Sequence, residues 1–176
     1  QVGVDFGGSQ SAHAFNCTGF TKGLRKVVTL DEKYTKKELD PAELEREFVK
    51  FIKKQIADKR NVQVVFADSA EQVLIRGLRN ALKKEGIGIP VKDARKGEII
   101  DRIRFYVMLM GLGAYKVMRH CTHTIDAFST ALWDAEELND VRLDDGTTNI
   151  DSLDAQEYST ENYQKQIIDI LTLVRG

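Results

Sequence analysis

Cysteine and proline are scarce: the chain has two of each in 176 residues. Cys17 and Cys121 make no CxxC pair and no disulfide framework, which excludes the stapled folds of small secreted domains and leaves reduced thiols in a cytoplasmic protein. Cys121 with His120 and His123 hints at zinc, but a second ligand pair is missing, and Cys17 and His13 would have to reach in from elsewhere. The prolines, Pro41 and Pro90, mark boundaries and form no linker. No repeat or low-complexity stretch divides the chain. No run nears the roughly 20 apolar residues that span a bilayer; Leu109 to Ala114, in the longest apolar region, is bracketed by Arg102, Arg104 and Lys116, so no membrane partner is expected. The start lacks the pattern of a secretory signal. An excess of one charge is missing too, with a formal net charge of −1. Domains that grip DNA unaided are usually basic, because neutralising phosphate drives their affinity. The balance suits a protein brought to DNA by something else, or one that meets phosphate with metal ions.

What is present is an ordinary globular composition, 42% apolar and 30% charged, long enough to bury a core without staples. Val2 to Phe6 reads as a buried strand beginning almost at the terminus. The expectation is one domain over 1–176 with more of the polypeptide upstream.

The first third reads as a meander. Val2 to Phe6, Ala12 to Phe20 and Leu24 to Leu30 are predicted strands, separated by turns at Gly7-Gly8-Ser9 and Lys22-Gly23. Asp40 as N-cap, Pro41 at the first helical position and Glu43 closing a capping box predict a helix. Its apolar face would be Leu44, Phe48, Phe51, Ile52 and Ile56, opposite Lys50, Lys53, Lys54 and Lys59. Val62 to Asp68 is a buried strand. Ser69 and Gln72 suggest a second capping box, opening a helix that runs to Gly86. Ile87 to Val91 is a short strand, Glu98 to Met110 a helix, and Tyr115 to Met118 a brief extended segment. Ile125, Phe128 and Leu132 mark a helix ending near Trp133, and Asp144-Asp145-Gly146 marks a turn. Helix resumes near Ile150 and continues or restarts through Tyr163, Ile167 and Ile170 to Val174. Strand–helix alternation after the meander implies parallel pairing through helical crossovers. The fold class is therefore α/β: a mixed sheet, antiparallel in its first three strands and then parallel, flanked by helices, compatible with a ribonuclease-H-like fold.

Of 27 acidic residues, a few stand out. Asp5 lies inside an apolar strand, where an ionised carboxylate needs a partner or a metal, and Gly7 and Gly8 after it let a ligand approach the backbone; the bland alternative is a carboxylate capping nearby amides. Asp68 ends an apolar strand, the end at which open α/β sheets collect ligands, though a carboxylate before a helix is common for dipole reasons alone. Asp151 and Asp154, three apart, share a helix face, where like charges repel unless a cation joins them; a solvated helix start is the alternative. Together they make the oxygen-rich set that Mg²⁺ or Mn²⁺ takes. Two such ions can hold the attacking water and the leaving oxygen of a phosphodiester.

These residues also carry a family likeness. Val2-Gly3-Val4-Asp5-Phe6-Gly7-Gly8-Ser9 with Phe15 and Thr18-Gly19-Phe20, then Val65-Phe66-Ala67-Asp68-Ser69-Ala70-Glu71, then Tyr115 to Val117 through Ile125 to Trp133-Asp134, and finally Asp151-Ser152-Leu153-Asp154-Ala155, resemble in order the nuclease domain of the tailed-bacteriophage terminase large subunit. The resemblance covers nearly the whole chain. It implies a ribonuclease-H-like nuclease that cuts double-stranded concatemeric viral DNA during packaging in the host bacterial cytoplasm, with Mg²⁺ or Mn²⁺, two ions expected. It implies Asp5, Asp68 and Asp154 as catalytic ligands, Asp5 shared by both ions. Many relatives carry histidine where Asp151 stands, which leaves Asp151 either a fourth ligand or an outer residue; Glu157 matches no catalytic position. It further implies an upstream ATPase domain of the same polypeptide, a portal protein and a small terminase subunit as partners. No GxxxxGK[ST] phosphate loop occurs here.

For DNA, Lys92, Arg95 and Lys96 lie in a loop before a helix, and Lys22, Arg25 and Lys26 on a hairpin; either patch is otherwise an ordinary solvated surface. Competing readings are a junction resolvase or ribonuclease H, a sugar-kinase or actin-like ATPase suggested by Val4-Asp5-Phe6-Gly7-Gly8 but lacking its second subdomain, and a non-catalytic docking module of the packaging motor. The nuclease reading requires the aspartates to converge and to escape neutralisation by lysine and arginine.

Overall fold

The computed structural model of the chain describes residues 1–7, 11–132, 142–143 and 149–173. The predicted features at Gly8-Ser9, Trp133-Asp134, Asp144-Asp145-Gly146 and Val174 lie outside these residues. Strands β1 (Val2–Asp5), β2 (His13–Phe20) and β3 (Val27–Thr35) form the expected antiparallel meander. Helix α1 (Pro41–Ala57), strand β4 (Val65–Ala67), helix α2 (Gln72–Lys84) and strand β5 (Val91–Asp93) follow. Helix α3 (Ile99–Gly111), strand β6 (Tyr115–Val117), α4 (Thr122–Thr130), α5 (Ile150–Thr160) and α6 (Gln164–Leu173) complete the order. The sheet runs β5-β4-β1-β2-β3-β6. β4 pairs parallel with β1, β5 with β4, and β6 with β3. This is the mixed, helix-flanked sheet of the ribonuclease-H-like fold. No helix among the described residues is long and apolar enough to cross a membrane.

Alternation along the strands sorts the two faces. Val2, Val4, Phe15, Cys17, Val65 and Ala67 turn toward α1 and α2 and form the main core with Phe48, Ile52 and Leu78. The capping box at Asp40 and Glu43 is formed, with Glu43 N donating to Asp40 at 2.7 Å. On the other face, Val27 and Tyr115 pack with Phe105, Leu109 and Ile167 from α3 and α6.

Several expectations need correction. The third strand starts at Val27 and extends to Thr35, because Lys22 to Leu24 form a 3₁₀ turn and the charged stretch from Asp31 onward still pairs with β2. The fifth strand is Val91–Asp93, not Ile87 to Val91; Pro90 cannot donate to the ladder and only its carbonyl joins, accepting from Val65 N. The second capping box is absent: α2 begins at Gln72 with no side-chain cap, and the Asp68 carboxylate takes the Ala70 amide instead, at 2.8 Å. On α1, Ile56 is exposed, and the buried place falls to Gln55. The cause is Asp31, a buried acid on β3 that Gln55 Nε2 serves at 2.8 Å.

Candidate active site

Helix α5 sits across β1 and β2 and is buried along almost its whole length despite being mostly polar. Two features permit this. Gly3 leaves room: a Cβ there would lie 1.8 Å from the Ala155 carbonyl oxygen. The facing strands supply polar partners in place of an apolar stripe. Asn16 Nδ2 donates to the Ser152 carbonyl at 3.0 Å, Thr29 Oγ1 to Gln156 Oε1 at 2.8 Å, and Gln156 Nε2 to the Tyr106 hydroxyl at 3.0 Å. Thr18 and Ser159 share a hydrogen bond of 2.7 Å. Satisfied networks of this kind fix one docking position.

That position brings the sequence-predicted carboxylates together. Val4 pairs with Ala67, so Asp5 and Asp68 emerge side by side from parallel strands, and Asp68 N donates to the Val4 carbonyl at 3.0 Å. α5 brings Asp151 and Asp154 to the same end. Asp5 is 8% exposed and has no hydrogen-bond or ion-pair partner among the described residues. Burial, followed by the charges of Asp154, Asp151 and Asp68, pushes its carboxyl well above the usual range.

The other acids are compensated. Asp68 Oδ1 meets Lys96 Nζ at 2.6 Å. Asp151 Oδ2 accepts the Ala12 amide at 3.0 Å, and its charge helps burial to push the Tyr34 hydroxyl up to about 12. Asp154 Oδ1 accepts from Arg102 at 3.1 Å and Arg142 at 3.2 Å; burial still raises its carboxyl, against the pull of both guanidiniums. The same arginines grip Glu157, which is 1% exposed, Arg102 at 2.7 Å. Burial raises the Glu157 carboxyl, with Arg142 the main opposing influence. Escape from cationic partners therefore holds for Asp5 and fails for Asp68 and Asp154; in both of these the lysine and arginine contacts fall on Oδ1, so a metal would have to take the other oxygen or displace the cation.

Five carboxylates (Asp5, Asp68, Asp151, Asp154, Glu157) thus face three cations (Lys96, Arg102, Arg142). Among the described residues, no three metal-ligating side chains already close into a ligand set. The donor set nonetheless fits a hard divalent cation: it is all oxygen, and its central member is a buried acid with no donor among the described residues. Such a charge needs a cation or a proton.

The basic patches separate. Arg95 and Lys96 lie in the loop after β5, at the acidic end of the sheet, with Lys92 exposed on β5 itself. Lys22, Arg25 and Lys26 sit at the β2–β3 tip, beyond Phe20. Asp5 pairs with Ala14, so six residues of strand, about 20 Å at the usual rise, divide that tip from the acids. Arg102, Arg142, Glu157 and Glu161 were not singled out from the sequence as site residues. For Arg142 no local signal exists; for Glu157 the i+3 spacing from Asp154 was visible, but its partner arginines were not.

No protein-family model matches the chain, and no curated protein matches it. Solved structures do. A large terminase from a thermophilic bacteriophage superposes with a TM-score of 0.69 at 22% identity, over 92% of this chain and 38% of that one. The large terminase nuclease domain of bacteriophage SPP1, with bound Mn, gives 0.64 at 23% identity, over 92% and 85%. That of thermophilic phage G20c, with bound magnesium, gives 0.53 at 17%, over 91% and 79%. At these identities the likeness establishes the fold: this chain has the architecture of phage large-terminase nuclease domains. It spans about two fifths of the length of the first of these three proteins.

Proposed function

We propose that this chain is a divalent-metal-dependent endonuclease that cuts double-stranded viral DNA during genome packaging. The observation that carries the reading is Asp5: a buried carboxylate without a donor among the described residues, ringed by three more acids delivered from β4 and α5. The bound Mn and magnesium of the SPP1 and G20c domains support a divalent-metal centre in a chain of this fold. Asp5, Asp68, Asp154 and Asp151 would hold Mg²⁺ or Mn²⁺, two ions in our reading, with Asp5, Asp68 and Asp154 catalytic. When bound, such ions offset phosphate charge and make water a better nucleophile at neutral pH.

The chain's own residues supply position. Arg102 and Arg142, anchored on Glu157, fix the Asp154 carboxylate; the Ala12 amide fixes Asp151. Lys92, Arg95 and Lys96 lie where the scissile strand would approach, and Lys22, Arg25 and Lys26 would meet the duplex about six base-pair rises away. By analogy with the greater length of the thermophilic-phage large terminase, an ATPase domain upstream in the same polypeptide would deliver the DNA, with portal protein and small terminase subunit as further partners. Tethering to a motor supplies effective concentration in place of affinity, consistent with the near-zero net charge.

The test is plasmid cleavage in Mn²⁺. Asp5→Ala should abolish it with the fold retained, and parent-level nicking by that variant would end the assignment. The ion pairs on Asp68 and Asp154 favour a second reading, a docking module that no longer cuts; absence of Mn²⁺ binding by calorimetry would establish that one.

A further inference from the structure

Glu161, the residue following α5, is 4% exposed and belongs to no part of the acid cluster. Its carboxylate accepts two consecutive backbone amides of the β5–α3 loop, Lys96 N at 2.9 Å and Gly97 N. The fit is close. Lys96 takes a left-handed φ of 50°, uncommon for a residue with a side chain and sustained only where surroundings impose it. A Cβ at position 97 would lie 2.9 Å from Glu161 Oε1. The loop is thereby tied to the helix end that bears Tyr158. The Lys96 ammonium lies 5.9 Å from the centroid of the Tyr158 ring and 2.6 Å from Asp68 Oδ1.

We propose that Lys96, aimed by Glu161, is the built-in counter-cation of the acid cluster and competes with a divalent metal ion for Asp68. The proposal rests on reading the cluster as a metal site. An ammonium on one oxygen of a carboxylate repels a divalent ion brought to the other and weakens its hold. Of the three cations described at the cluster, Lys96 is the one able to yield. Arg102 and Arg142 are buried, and both grip Asp154 and Glu157 together. Lys96 has a single carboxylate partner among the described residues, a flexible stem and a side chain 36% exposed, so it can turn to water. Once displaced it stays on the loop shared with Arg95, beside the carboxylates it has left.

The experiment is titration of Mn²⁺ alone into the protein, without DNA, read by the free-Mn²⁺ paramagnetic resonance signal. Lys96→Met should tighten Mn²⁺ binding by about two- to five-fold, the upper part of the range of a partly exposed ion pair. Lys96→Arg should stay within about two-fold of the parent, since the competing charge is kept. Glu161→Gln should tighten binding less, and adding Lys96→Met to it should gain less than in the parent, because both act through one ammonium. If Glu161→Gln does not fold, the two Lys96 variants decide alone. A parent that binds Mn²⁺ through Asp5, with Lys96→Met no tighter, overturns the competition and leaves the metal centre standing. A parent that binds no Mn²⁺ overturns both.

Discussion

Replacing Gly3 with alanine is the sharpest test of how the site is assembled. The added Cβ would lie 1.8 Å from the Ala155 carbonyl oxygen and 2.9 Å from both Ala155 C and Ser159 N. All three are backbone atoms, so no rotamer change relieves the clash. To restore ordinary van der Waals separation α5 must retreat by more than about 1 Å. That shift would stretch the bonds from Asn16 to Ser152 and from Thr29 to Gln156, now 3.0 and 2.8 Å. Overpacking alone costs about 1–3 kcal/mol, and each buried polar group left without its partner about 1–3 kcal/mol more. The expected loss is about 3–9 kcal/mol out of a total of about 5–15 kcal/mol. Urea unfolding of the isolated chain measures it, with Gly111→Ala as control: no atom lies within 4 Å of a Cβ there, and the change should be neutral or slightly stabilising, by less than about 1 kcal/mol. A Gly3→Ala protein within about 1 kcal/mol of the parent would refute close backbone approach as the device that seats α5.

Asp5→Asn should flatten the dependence of metal-free stability on pH. The folded Asp5 pKa lies above its unfolded value of 3.8, so the folded state keeps the proton longer; its contribution is complete below the unfolded pKa and is lost as pH rises through the folded one. Urea midpoints from pH 4 upward should therefore fall less steeply in the variant, though not become level, because Asp154 and Glu157 are raised too; parallel curves would contradict this. Arg102→Met should destabilise toward the low end of the about 3–5 kcal/mol that breaking a buried pair costs, since Arg142 still holds Glu157. Glu157→Gln in that background should recover part of the loss in thermal denaturation, and no recovery would mean that the charge is not the cause. Lys92→Ala with Arg95→Ala should weaken DNA binding alike across sequences and reduce the slope of log K against log salt by about 0.9 for each phosphate no longer neutralised; an unchanged slope removes that patch from the interface.

The sequence made part of this legible. Asp5 could be recognised because a charge between Val4 and Phe6 contradicts its local pattern, and Asp40-Pro41 with Glu43 because capping is a short-range signal. The change from antiparallel to parallel pairing followed from short turns and then helical crossovers. What stayed hidden was long-range polar pairing. Gln55 reads as surface until Asp31 is known to lie beneath it, 24 residues away in the chain. Arg142 meets Glu157 and Arg102 reaches it across 55 residues, and no periodicity marks either arginine as a partner for Asp154. Ser69 satisfied the capping pattern, yet Asp68 competed for the turn amides and prevailed. Nothing local marks Gly3; only the packing of α5 shows why a side chain is intolerable there.

The polar burial of α5 has a consequence for when the centre comes into being. A segment with little apolar surface of its own has little reason to be helical until Asn16, Thr18 and Thr29 are arrayed to receive it. Asp5 leaves the ribosome near the start of this sequence and Asp154 near its end. A nascent chain would thus carry its acids scattered, and the charged hollow would close only once α5 has docked, so that a half-made polypeptide holds no assembled cluster.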